Sequence, residues 1–197
     1  ELTYACSLVV GGALFFTSRR FAFELEFGEH LLWSALALAT ISLAVSALLR
    51  MSVVEWLTTA YRVPLQAVSM FATIAIPALL VVELSRGQTW TVTAIACGWL
   101  AALWCIIALL DGSALLFSVF QAALGFTWFF GIGALLHHRE WNRIEPYSLH
   151  IYALGLATLS LIWELMRVVL RHRPYAMTLL CPAFVPMDRL TSGALIV

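Results

Sequence analysis

Apolar residues along the chain fall into long runs separated by short polar breaks. Six of these runs reach or approach the roughly 20 helical residues needed to cross a hydrocarbon core. They are Leu2 to Ser18, which is short, Leu31 to Leu49 between His30 and Arg50, Pro64 to Glu83, Trp90 to Leu110, Ser113 to Leu136, and Ser148 to Leu170. The pattern predicts an all-α fold, a polytopic transmembrane helical bundle of about six spans with short loops. Pro64 suits a helix start, because the first helical amides have no partner in any case. Pro77 falls inside the third run, where it is expected to kink the helix and free the Thr73 carbonyl. Asp111-Gly112 leaves so little chain between the fourth and fifth runs that they must form a tight hairpin.

Two connections have a pattern of their own. "RRFAFELEF" alternates Phe23, Leu25 and Phe27 with Glu24 and Glu26, which suits an extended segment along the interface. "SVVEWLTTAYR" sets Glu55 three residues after Ser52, the spacing of a capping box. Val53, Trp56, Leu57 and Ala60 then share one face, so a short interfacial amphipathic helix is expected, serving as a connector. After Leu170, the prolines at 174, 182 and 186 interrupt the chain. Residues 1–173 are therefore read as the bundle, and 174–197 as a tail leading into sequence beyond it. The apolar openings at both ends, and the absence of an initiator Met, point to part of a longer polypeptide.

Composition changes the picture by excluding classes. Hydrophobic residues make up 62% of the 197 positions and charged residues 11%, with a mean hydropathy of +0.94. That is too little charge to coat a water-soluble globule of this size. Eleven basic and eleven acidic residues leave no net charge and no basic face, which excludes nucleic acid as a partner. All the basic residues are arginine. Six of them fall on one side of a six-span topology and five on the other. The cluster from Arg167 to Arg173 favours cytoplasmic termini, in a bacterial inner membrane.

In lipid, helices associate through close packing of small residues rather than through a hydrophobic drive. Ala35, Ala39, Ser42 and Ser46 form such a stripe on the second run, and Ala94, Gly98 and Ala102 one on the fourth. Gly125, Gly131 and Gly133 thin the fifth, and Ala153 pairs with Ala157 on the sixth. Trp33, Trp56, Trp90 and Trp141 lie where interfacial anchors belong, and Trp99, Trp104, Trp128 and Trp163 lie within spans.

Chemistry-bearing residues are few. Glu164 lies about 10 Å inside the membrane, counting from Arg171 at 1.5 Å per residue. An acid at that depth is costly unless it faces other helices and is paired. Arg167, at i+3, shares its face. Gln121, about 12 Å inside the fifth run, lies at a matching depth on an antiparallel neighbour. Glu164, Arg167 and Gln121 are thus expected to form a buried polar cluster, read first as a structural tether. The same residues would serve a transporter or a lipid- or glycan-handling enzyme, given a water-filled path. His137 and His138 end the fifth run and His150 opens the sixth, so all three lie at one membrane face. Such residues would suit a haem, chlorin or metal, although histidine beside Trp141 and Tyr147 also describes an ordinary aromatic belt. No histidine is expected deep in a span. Cys6, Cys97, Cys105 and Cys181 show no CxxC spacing. HExxH, GxSG and an inverted repeat with two broken helices are all missing.

The reading is a non-enzymatic integral membrane subunit, or the membrane domain of a larger protein or complex. Its role would be structural, in assembly or anchoring, with the lipid bilayer and other membrane subunits as partners.

Overall fold

The computed structural model describes residues 2–21, 27–51, 58–85, 89–139 and 147–170. The described residues are almost entirely helical, in six long helices: α1 (Leu2–Phe21), α2 (Phe27–Met51), α3 (Val63–Ser85), α4 (Trp90–Asp111), α5 (Ala114–His138) and α6 (Tyr147–Leu170). A π-helical turn, Thr58–Arg62, leads directly into α3. Five helical stretches, covering α2 to α6, are long and apolar enough to cross a membrane. The chain is an integral membrane protein with an all-α helical bundle architecture. The short first run becomes α1, which is outside those five but packs against both α2 and α3.

The helices outrun the apolar runs at several ends, because a helix stops where its backbone bonds run out rather than where hydrophobicity does. Arg19 and Arg20 belong to the last turn of α1, where cations complement the helix dipole. Glu29 and His30 are inside the first turns of α2. At α3 the π turn precedes Pro64, which has no amide to give to the Ala60 carbonyl, and the helix continues through Pro77 to Ser85. The expected hairpin is present: Gly112 caps α4 in the left-handed conformation (φ 63°, ψ 26°) that glycine adopts without strain. The Ser113 hydroxyl then caps α5 by accepting from the Leu116 amide at 3.5 Å. Of the extended segment expected at 19–27, the ends are helical, Arg19 to Phe21 in α1 and Phe27 in α2, and of the amphipathic helix expected at 52–62, Thr58–Arg62 forms the π-helical turn; the rest of both, and the tail after Leu170, lie outside the described residues.

The chain divides into two compact units, Glu1–Gln88 and Thr89–Val197, each with three long helices. In the first, three residues of the small-residue stripe on α2, Ala39, Ser42 and Ser46, are buried, while Ala35 is half-buried. Leu32, Leu36, Ala39, Leu43 and Ser46 are buried at alternating spacings of four and three, and so are Ser69, Thr73, Ile76 and Leu80 on α3. That is the seam of two helices packed as in a coiled coil. Across it, the Ser69 hydroxyl donates to the Ala39 carbonyl at 3.1 Å, an approach that only a residue as small as Ala39 permits.

In the second unit, the buried face of α4 runs through Thr93, Cys97, Leu100, Trp104 and Ile107. The expected stripe is therefore displaced, since Ala102 is exposed. Gly98 does face α5, where a Cβ would meet the Thr127 methyl at 3.3 Å. Ala153 on α6 is also exposed, and the close approach there belongs to Gly155. Equal spacing of small residues on a sequence does not reveal which face a neighbour takes.

Candidate functional site

The second unit carries the residues singled out for chemistry. Antiparallel packing of α5 and α6 is recorded by rings: Phe117 and Phe120 each pack edge-on against Trp163, with centroids 6.0 and 5.9 Å apart. Further along, Phe129 stacks on Tyr152 at 4.8 Å. Gly133 is buried where a Cβ would collide with the Trp90 ring and lie 2.9 Å from the Tyr152 hydroxyl. Trp90 thus packs against Phe129 and Phe130 of α5, in addition to its place at the start of a span. Gly155 takes the same role on α6, where a Cβ would lie 3.0 Å from Trp128 Nε1. That indole nitrogen is buried with no hydrogen-bond partner.

Gln121 and Glu164 each follow a member of the Phe120–Trp163 pair by one residue, so they stand at one level of the α5–α6 pair, as the depth count requires. Their burial differs from expectation. Gln121 is half-buried, but Glu164 is exposed within its unit, because Trp163 occupies the face of α6 turned to α5. The main chain of Arg167 continues α6 one turn further on.

His137 and His138 lie exposed in the last turn of α5, and His150 is exposed in the first turns of α6. Among the described residues, no three His, Cys, Asp or Glu side chains come together as a metal site requires.

Compared with known protein families, characterised proteins and solved structures, the chain matches none of them.

The first unit contains a feature that the sequence did not signal. A pocket of about 270 Å³ lies between α1, α2 and the start of α3. Ser7 and Val10 line it from α1, Ser42 and Val45 from α2, with Tyr61 and Leu65 closing one end. Its walls are almost wholly apolar, although Ser42 and Ser7 contribute hydroxyls. Beside Tyr61, the half-buried Arg62 has its Nε buried with no hydrogen-bond partner. At the other end of α2, His30 is 3% exposed and packs edge-on against Phe15 at 6.4 Å, with a buried Nδ1 that also has no partner. His30 is therefore a buried side chain in the first turn of a span, and among the described residues no histidine lies deeper in one. Its place as the polar boundary of an apolar run concealed this, because the helix begins before the run does.

Proposed function

We propose that this protein is an integral membrane subunit, or the membrane domain of a larger protein or complex, with a structural role in assembly or anchoring. In this reading it resides in a bacterial inner membrane with both termini cytoplasmic. The observation that supports it most is the placement of Glu164. Only 6% of the most apolar stretch of α6 is buried, against 50% in α4, so α6 joins its unit through the narrow face of Tyr152, Gly155, Leu159 and Trp163. Glu164 stands outside that face, about 10 Å into the membrane by rise per residue. Whatever polar contact it makes, a carboxylate exposed at that depth is costly in lipid and favourable against protein. A neighbouring membrane segment on this side of α6 meets the requirement, with Arg167 and Gln121 completing a polar tether.

The reading is tested by placing a photo-crosslinking side chain at Leu161 or Leu165, which are 69% and 64% exposed on α6. Cross-links from both positions to one defined membrane segment, seen in the native membrane, are expected. Products joined to lipid alone would overturn the reading. Glu164→Gln keeps the shape and the hydrogen-bonding capacity, so the loss of assembly is expected to be about 0.6 kcal/mol, the scale of an interhelical hydrogen bond in a membrane. Wholesale loss of function in a protein that still assembles would instead favour a transporter or enzyme using Glu164 and Arg167.

A further inference from the structure

The pocket in the first unit lies near one end of its helices. It involves Ser42 and Val45, which precede Arg50 at the end of the α2 span, and Tyr61 and Leu65, which flank Arg62 at the beginning of the α3 span. Arg50 and Arg62 bracket a single connection and therefore share a membrane face. Leu38, the lining residue of α2 furthest from Arg50, is twelve residues away, so the pocket extends roughly 18 Å below that face at helical rise. This is about the depth of one leaflet's acyl region.

Its shape and chemistry suit one kind of occupant. Val10, Ile41 and Val45 are 41%, 44% and 39% exposed while also lining the pocket, so it opens sideways toward the lipid. At about 270 Å³ it falls just under the roughly 300–1,000 Å³ of small-molecule sites, room for a length of acyl chain rather than for a whole lipid. A cation adjoins this end: Arg62 follows the lining residue Tyr61 directly and is not itself a lining residue. Tyr61, Arg62 and Leu65 fall within one turn of helix, so the guanidinium stem starts beside the residues that close the pocket. Arg62 Nε is buried without a partner, a cost normally avoided by a hydrogen bond. A phosphate diester supplies the opposite charge to the guanidinium beside the pocket, and arginine's planar fork matches phosphate geometry. Basic pockets between transmembrane helices at a membrane face recognise anionic headgroups for the same reason.

We infer that the groove between α1, α2 and α3 holds an anionic phospholipid, with one acyl chain against Val10, Ser42 and Val45 and its phosphate on Arg62. This rests on membrane insertion alone and is independent of the assembly role proposed above.

The test uses the full chain in mild detergent, incubated with equal amounts of phosphatidylglycerol and phosphatidylcholine of the same acyl length and read by native mass spectrometry. Phosphatidylglycerol is expected to be retained about fivefold over phosphatidylcholine, the scale of one arginine near an anionic lipid. Arg62→Gln should remove that preference while leaving residual binding of both lipids. Val45→Trp, which fills the groove from its lipid-facing mouth, should reduce both adducts together. Excess inorganic phosphate should leave the lipid bound. Equal retention of the two lipids by the wild-type chain would overturn the inference without reference to any variant. So would a preference that survives Arg62→Gln, undiminished binding in Val45→Trp, or displacement by phosphate alone.

Discussion

In the first unit the seam intersperses small residues among large aliphatic ones: Ala39 and Ser46 on α2 and Ser69 and Thr73 on α3 are buried beside Leu32, Leu36, Leu43, Ile76 and Leu80, and a hydroxyl reaches a carbonyl of the neighbouring backbone. In the second they meet over rings set against glycine. Trp90 and Tyr152 close on Gly133, Ile132 and Trp128 close on Gly155, and Trp163 sits between Phe117 and Phe120. Both arrangements answer the same condition. Apolar side chains gain little by leaving lipid for protein, so contact area and complementary shape must hold the helices together. Small residues on both partners bring backbones close, where weak polar contacts contribute. A ring against a glycine keeps backbones further apart and relies on dispersion over a large flat surface. The first seam tolerates little added volume at Ala39, away from the pocket at Ser42, and the second tolerates none at two glycines but has slack elsewhere.

The sharpest way to break this contrast is Gly133→Leu. The new side chain has nowhere to go but into Trp90 and Tyr152, both of which are held by other rings. A destabilisation of about 3 kcal/mol is expected, the upper part of the overpacking range, measured by unfolding in mixed micelles. Gly125→Ala, at a glycine on the same helix with nothing within 4 Å, should show no loss. If the two glycines behaved alike, the notch-and-ring description of the second unit would be wrong.

Ala39→Leu is the matching test of the first unit. Ala39 is fully buried and its carbonyl receives the Ser69 hydroxyl, so extra volume both separates α2 from α3 and breaks the bond. About 2 kcal/mol is expected from the same measurement. Trp163→Ala should cost less, about 1 kcal/mol, because the lost ring contacts are partly replaced by lipid instead of leaving an empty cavity. A cost several times larger would show that the α5–α6 contact depends on exclusion from water. Ser69→Ala has the smallest expected effect, about 0.6 kcal/mol, since small residues maintain the approach with or without the hydroxyl. A loss comparable to that of Ala39→Leu would make the hydrogen bond, rather than the close packing, the principal contact of the first unit.

Membrane residence, helical class, the position of every long helix to within a few residues and the hairpin at Gly112 all follow from the sequence alone. Each depends on a local quantity: the length of an apolar run, the cost of an unpaired amide in lipid, or the φ that only glycine adopts freely. The small-residue stripe on α2 was legible as well, because Ala35, Ala39, Ser42 and Ser46 leave only one narrow face for a neighbour. Tertiary structure alone decided which face each of the other helices turns inward, and so kept Gly98 and Gly133 among the small residues the sequence offered, left Ala102 and Ala153 exposed, and added Gly155. It likewise set Trp163, rather than Glu164, against α5, buried His30 in the first turn of a span, and opened a groove beside Arg62. These outcomes depend on the rotation of one helix against another, which shifts by about 100° per residue. A helix that is apolar all round has no polar side to turn outward, so nothing in its own sequence selects that rotation in advance. The fit of particular side chains against their neighbours selects it.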